Sequence, residues 1–266
     1  MCETCGCGEG ATTTVTDLGV PRAHEDTREH EHDHARQHHH DHDTHDSGAQ
    51  TVTLEERVLA KNDLLADRNR ERLAALGAVA VNVMGSPGAG KTALLERTVR
   101  ELGPRTPLAV VEGDQETLLD AKRIAAAGGR VVQVNTGAGC HLDAAMLAEA
   151  LDRLAPSRGA LVLVENVGNL VCPALFDLGA RTAAVLSSVT EGADKPLKYP
   201  HMFRAADAVV LTKIDILPYV DFDADQFIAN ARKVHPGIEV LRLSSVTGEG
   251  LDQWFAWLDR ARLAAA

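Results

Sequence analysis

Three groups of residues in this 266-residue chain have the types and spacing that chemistry requires. The first is Gly85-Ser86-Pro87-Gly88-Ala89-Gly90-Lys91-Thr92, which follows the aliphatic run Ala78–Met84 and precedes a helical stretch. It is the pattern GxxxxGK[ST] in a strand–loop–helix setting. The glycines let backbone amides point inward around phosphate oxygens, and the helix N-terminus adds its positive end. Lys91 is suited to bridge the β- and γ-phosphates, and the Thr92 hydroxyl to ligate Mg²⁺. Two acidic strand ends accompany the loop, Glu112-Gly113-Asp114 and Glu165-Asn166-Val167-Gly168. Asp114 is expected to be a Mg²⁺-linked switch residue and Glu165 to reach the metal through water. Gly168 is expected to bring a backbone amide to the γ-phosphate. An alternative is that these carboxylates are merely structural.

The second group is Thr212-Lys213-Ile214-Asp215, at the end of a later aliphatic run. It resembles the guanine-reading motif of GTPases, usually Asn-Lys-x-Asp. Asp215 can accept hydrogen bonds from the guanine N1–H and 2-amino group, and adenine lacks that donor pair. Lys213 would pack its stem along the base. Thr212 stands where Asn is usual, which is expected to weaken contact with the phosphate loop and the purine. Ser244 and Ser245, after the next run, fit a loop that closes on the base. The plainer reading of Lys213 and Asp215 is a surface ion pair.

The third group is built from thiols and imidazoles. Cys2, Cys5 and Cys7 put three thiols within six residues, enough to wrap one soft or borderline ion such as nickel, zinc or copper(I). His24, His30, His32, His34, His38, His39, His40, His42 and His45 follow, interleaved with acids. At this density imidazoles bind nickel, zinc or copper loosely and several at a time. A pH-responsive solubility tail is the alternative. Cys140-His141 and Cys172 offer two thiolates and an imidazole, which suit Ni²⁺ or Zn²⁺. Two buried cysteines acting as small hydrophobes would look the same in sequence.

The elements that must hold these groups follow from periodicity. Residues 1–50 carry 3 basic and 11 acidic side chains and nine of the 12 histidines. They are expected to be a disordered metal-binding tail. From residue 51 the chain reads as one nucleotide-binding domain. Thr53-Leu54-Glu55-Glu56 reads as a capping box that opens a helix over about 53–76. Unbroken Val/Leu/Ala runs then indicate strands buried on both faces. They are Ala78–Met84, Leu108–Glu112, Val131–Asn135, Ala160–Glu165, Thr182–Ser188, Ala208–Thr212 and Ile238–Leu243. Helical stretches at 91–101, 116–127, 142–154, 223–234 and 250–264 separate most of them. The fold class is α/β, a mainly parallel sheet flanked by helices, with ligands beyond the carboxyl ends of the strands. The net charge of −11 argues against a nucleic-acid partner, and no apolar run is long enough to span a membrane. The start Met1-Cys2-Glu3 lacks the basic and apolar parts of a secretory signal, so a cytoplasmic location with reduced thiols is expected.

The stretches MCETCGCGEG, GSPGAGKT, VEGDQET, NTGAGCHLDA, VENVGNLVCPALFDLG and SSVTEGADKPLKYP, together with the His-rich segment, resemble the HypB family of hydrogenase nickel-incorporation GTPases. The resemblance spans the globular part and the extreme N-terminus. It implies a SIMIBI-class P-loop fold that forms a GTP-dependent homodimer. It also implies a tight nickel site at Cys2, Cys5 and Cys7 and a weaker nickel or zinc site at Cys140, His141 and Cys172. The implied partners are a HypA-like nickel chaperone and the hydrogenase large subunit. Rival readings are a urease-type nickel accessory GTPase and a metal-buffering P-loop protein without nucleotide-driven transfer.

Overall fold

A computed structural model describes residues 13–18 and 47–263. The elements in chain order are β1 (Thr14–Asp17), α1 (Ser47–Ala75), β2 (Val79–Gly85), α2 (Lys91–Leu102), β3 (Leu108–Asp114), α3 (Leu119–Ala126), β4 (Arg130–Asn135), α4 (Ala144–Leu154) and β5 (Leu161–Glu165). They continue with β6 (Thr182–Ser188), α5 (Lys195–Lys198), α6 (Pro200–Arg204), β7 (Ala208–Thr212), α7 (Ala224–Val234), β8 (Glu239–Arg242) and α8 (Leu251–Leu263). Two 3₁₀ turns, Cys172–Ala174 and Ile214–Tyr219, follow β5 and β7.

The strands form one sheet in the order β1-β4-β3-β5-β2-β6-β7-β8. Pairing is parallel throughout β2–β8, and only β1 runs antiparallel, against β4. Alternate residues of each strand face opposite sides, so the aliphatic runs bury both faces. Val79, Val81 and Val83 of β2 pack with α2, α3 and α8 on one side. On the other side, Ala80 packs beneath α1 and α4, and Met84 joins a cluster with α6 and α7. All seven parallel strands therefore end at the same edge, where the loops carrying Gly85–Thr92, Glu112–Asp114, Glu165–Gly168 and Thr212–Asp215 emerge.

Two expectations for the N-terminal region need correction. Thr14–Asp17, within the stretch expected to lack structure, is an edge strand. Its alternation buries Val15 to 6% exposure, and β-branched residues suit an edge position. The first helix begins at Ser47, not at a cap on Thr53. A capping box adds roughly 1 kcal/mol, and a helix that continues through it gains further backbone hydrogen bonds instead. The Cys2/Cys5/Cys7 motif and all nine tail histidines, His24 to His45, lie outside the described residues.

The face covered by α8 is held by a buried polar contact. Trp254 is fully buried, and its indole N–H donates to the Thr98 hydroxyl at 2.9 Å. That hydroxyl in turn donates to the Leu94 carbonyl at 2.7 Å. Trp254→Ala is expected to lower unfolding free energy in urea by about 3–5 kcal/mol. Trp254→Phe, which removes mainly the indole hydrogen bond, should cost about 1–3 kcal/mol.

Candidate functional site: a phosphate loop beside a thiol cluster

The phosphate loop leaves the centre of the sheet, where β2 lies between β5 and β6. Gly85 is obligatory there, because a Cβ would lie 2.6 Å from the Leu186 carbonyl oxygen of β6. Gly90 takes the left-handed conformation, φ 94°, from which α2 starts at Lys91. The Lys91 ammonium is buried and donates to the Gly85 and Ser86 carbonyls at 3.1 and 3.2 Å. Burial pulls its pKa below the usual lysine value, although the Glu165 carboxylate opposes this. A cavity of about 510 Å³ opens over the loop, lined also by Asp114, Glu165, Gly168 and Lys213.

Beneath that cavity the sheet register sets three polar side chains in a row. Glu112 of β3 is opposite Glu165 of β5 on one side and Gln133 of β4 on the other. The Thr92 hydroxyl donates to Glu165 Oε1 at 2.8 Å. Burial pushes the Glu165 carboxyl up to about 7, against the pull of Lys91. Glu112, 2% exposed, is pushed up to about 9 by burial and by the neighbouring Glu165. The second oxygen of each has no hydrogen-bond partner among the described residues. Two buried carboxyls with unused oxygens beside a threonine hydroxyl are a donor set that fits a hard divalent cation.

Glu112 was not among the residues singled out from sequence, where Asp114 represented that strand end. Asp114 lines the cavity, but its carboxylate closes its own turn, accepting from the Thr117 N–H and hydroxyl, both at 2.9 Å. Burial raises its pKa, and hydrogen bonds from Thr117, Gln115 and Glu116 outweigh this and hold it below the usual value. Gly168 sits against the loop, where a Cβ would meet Pro87 at 3.0 Å.

At the end of β7, Thr212 keeps a contact with the phosphate loop where a weakened one is expected. Its hydroxyl donates to the Ala89 carbonyl at 2.7 Å. The shorter side chain reaches because β7 passes close to Gly90, where a Cβ would be 3.7 Å from Thr212 Oγ1. Lys213, at φ 60°, donates to the Gly88 carbonyl at 2.8 Å. Asp215 Oδ1 is buried with no partner among the described residues. Ser244 is buried. Its hydroxyl accepts from Val246 N–H and Thr247 N–H at 3.2 and 3.1 Å and so shapes its own turn, while the Ser245 carbonyl accepts from Arg97 at 3.4 Å.

Cys140, His141 and Cys172 come from two loops, yet their ligand atoms lie within 4.8 Å of one another. Cys172 is 8% exposed, and the other two are half-buried. The His141 ring stacks on Phe176 at 3.9 Å, and burial lowers its pKa, so the imidazole is neutral near pH 7. A neutral imidazole is the form that ligates metal.

Buried amides hold both loops. Asn62 of α1 accepts from the Ala144 N–H at 2.9 Å and donates to the Asp177 carbonyl at 2.8 Å. One side chain thus ties the loop after His141 to the loop after Cys172. Asn69, seven residues on and on the same helix face, donates to Ala144 and Leu178 carbonyls. Asn166, fully buried and adjacent to Glu165, accepts from the N–H of Leu142, the residue after His141, at 3.0 Å. The segment 165–172 is also bridged to the loop at Gly85–Asn169. None of the three asparagines was singled out from sequence. The available signal was two asparagines one heptad apart among the apolar positions of α1.

The two raised carboxyls predict an opposite-to-usual pH dependence. Each holds its proton more tightly when folded than at the unfolded value near 4.5, so the metal-free, nucleotide-free fold loses stability as pH rises toward about 9. Glu112→Gln removes the larger part. Its thermal midpoint should exceed that of the parent by a margin that grows between pH 5 and pH 8.5, measured by calorimetry.

Residues 79–242 match the family described as CobW/HypB/UreG, nucleotide-binding domain. The chain is 54% identical over 216 residues to the hydrogenase maturation factor HypB of Azotobacter vinelandii, covering 81% of this chain and 71% of that one. It is 44% identical to HypB of Escherichia coli (strain K12) over 99% of this chain and 100% of that one. The crystal structure of HypB from Helicobacter pylori in complex with nickel superposes with a TM-score of 0.72 at 38% identity, covering 77% of this chain and 96% of that chain. With a phosphate loop, the Thr212–Asp215 strand end and a thiol cluster all within the matched residues, the chain belongs to the HypB hydrogenase maturation factors of the CobW/HypB/UreG family.

Proposed function

We propose that the chain is a GTP-hydrolysing nickel metallochaperone that stores nickel and delivers it during [NiFe]-hydrogenase maturation. The observation that carries this reading is the stretch Glu165–Cys172. It begins at the carboxylate bonded to Thr92, and it ends at a thiol of the Cys140/His141/Cys172 cluster. The Asn166 amide lies between them and holds the backbone beside His141. A change at the phosphates that reorders this stretch alters the cluster, and reciprocity makes bound metal alter nucleotide affinity.

In this reading the phosphate loop and Lys91 hold the β- and γ-phosphates, and the Gly168 amide meets the γ-phosphate. Thr92, Glu165 and Asp114, which all line the cavity, would hold Mg²⁺, which would supply positive charge against the phosphates. Asp215 reads guanine, and the Lys213 stem lines the base. The buried, unused Asp215 oxygen supports this, since a purine without the matching donors would leave it unpaired. Nickel, with zinc as a competing ion, is the cargo of the cluster. A GTP-dependent homodimer, a HypA-like partner and the hydrogenase large subunit complete the pathway, in the cytoplasm. Among the described residues no helix is long and apolar enough to cross a membrane. A urease-type role and a pure metal buffer are the alternatives, and no geometry here favours either.

Two measurements test this. Asp215→Asn exchanges an acceptor for a donor, so GTP affinity should fall about 100-fold or more while xanthosine triphosphate binding improves. Unchanged GTP affinity would remove guanine reading from Asp215. In a chain with Cys2, Cys5 and Cys7 replaced by Ser, competition with a chromophoric chelator reports Ni²⁺ affinity. The affinity should differ about tenfold between GDP and a non-hydrolysable GTP analogue, and Asn166→Ala should bring that ratio close to one. Equal affinity in both states of the unsubstituted cluster would sink the nucleotide-gated reading.

A further inference from the structure

We infer that Cys140 and Cys172 are also an oxidisable pair, which a peroxide converts into a Cys140–Cys172 disulfide that closes the cluster to metal. The closure to metal rests on the reading proposed above, whereas the disulfide rests on the geometry of the two loops.

The sulfurs are held as neighbours, within 4.8 Å of each other and of a His141 nitrogen. The clamps are amides of the chain itself. Asn62 bonds the Ala144 N–H and the Asp177 carbonyl, and Asn166 bonds the Leu142 N–H. A sulfur–sulfur bond is about 2 Å long, so the pair must close by less than about 3 Å. Neither residue has to leave a strand or a long helix to do so. Cys140 lies in an irregular loop that contains Gly137, at φ 56°, and Cys172 opens a 3₁₀ turn of three residues. Among the described residues no third cysteine competes for either sulfur.

The two thiols differ in access, and the difference assigns their roles. Cys140 is half-buried, whereas Cys172 is 8% exposed. An oxidant arriving from solvent meets Cys140 first, and Cys172 is the shielded partner that resolves the product. Cys140 Sγ also lies 3.6 Å from His141 Nδ1. With its own hydrogen on Nε2, that ring accepts the Cys140 thiol hydrogen and orients the sulfur. Stacking on Phe176 fixes the ring in turn.

The chemistry balances in two steps, with hydrogen peroxide as the oxidant. The Cys140 sulfur attacks one peroxide oxygen, the O–O bond breaks and an S–O bond forms. The departing hydroxide takes the Cys140 proton and leaves as water. The Cys172 sulfur then attacks the Cys140 sulfur, so that the S–S bond forms and the S–O bond breaks. The second hydroxide takes the Cys172 proton and also leaves as water. The two sulfurs lose two electrons, and peroxide gains them. A dithiol reductant reverses the bond by thiol–disulfide exchange. Metal and disulfide exclude each other, because a metal ion needs thiolate sulfurs and a bound ion occupies the electron pairs that attack peroxide. The bond also pins the far end of the stretch that begins at the carboxylate bonded to Thr92.

The test uses the full chain with Cys2, Cys5 and Cys7 replaced by Ser, reduced, stripped of metal and free of nucleotide. A few equivalents of hydrogen peroxide should remove both remaining thiols, read by alkylation and intact mass. Peptide mapping should find Cys140 joined to Cys172 within one chain. In Cys172→Ser, dimedone should trap a sulfenic acid on Cys140. In Cys140→Ser, the shielded Cys172 should react about tenfold more slowly than Cys140 does. Zn²⁺ added first should slow disulfide formation about tenfold or more. The oxidised chain should hold one Zn²⁺ fewer than the reduced chain in competition with a chromophoric chelator, until a dithiol restores it. Thiols lost to sulfinic acids or to bonds between chains, with no Cys140–Cys172 peptide, would overturn the oxidisable pair. If the disulfide forms but reduced and oxidised chains hold Zn²⁺ equally, the closure and the metal cluster proposed above are overturned together, and the pair stands.

Discussion

Parallel strands joined by crossovers must all begin on one edge of a sheet and end on the other. In this protein that constraint governs everything chemical. The phosphate loop, the acidic strand ends, the Thr212–Asp215 turn and both thiol loops have no other edge from which to emerge. Crowding then does the rest. β2 is flanked so closely by β6 that Gly85 admits no side chain, and the loop that follows is packed under Gly168 and Thr212 before any phosphate is considered. The loop gains its shape from its neighbours as much as from its own glycines.

The same crowding explains the electrostatics. Register puts Glu112 beside Glu165, in a place with little water. Neighbouring carboxyls in such a place cannot both ionise without cost, and a buried Lys91 relieves Glu165 more than Glu112. The floor of the cavity is consequently short of positive charge on one side and short of hydrogen-bond donors on the other. A ligand that carries its own cation answers both shortages.

Much of this was legible before any coordinates. Local patterns sufficed for the phosphate loop, because its conformation is demanded by residues 85–92 themselves and by the strand before them. Unbroken aliphatic runs located all seven parallel strands to within one or two residues. Cys140, His141 and Cys172 could be grouped only by their scarcity and by likeness to a family, and the fold brings them together. What escaped was decided by partners distant in sequence. Glu112 matters because of its register with Glu165, 53 residues on. Asn62 matters because of Ala144 and Asp177, contacts that no window along the chain contains. Thr212 stands where Asn is usual, and the spacing to Ala89 that lets its hydroxyl reach the phosphate loop is a tertiary quantity. β1 is four residues within a polar stretch, too short for any periodicity to register.

That short strand also protects an edge of the sheet. β4 would otherwise be the outermost strand on its side, with a bare row of N–H and C=O groups facing solvent. Exposed rows of this kind recruit extended segments from other molecules, and proteins commonly cap them. Thr14–Asp17 thus act as a cover for this edge. A fragment that starts at α1, an attractive choice for anyone wishing to study the nucleotide domain by itself, would uncover β4 and invite edge-to-edge association that the intact chain suppresses.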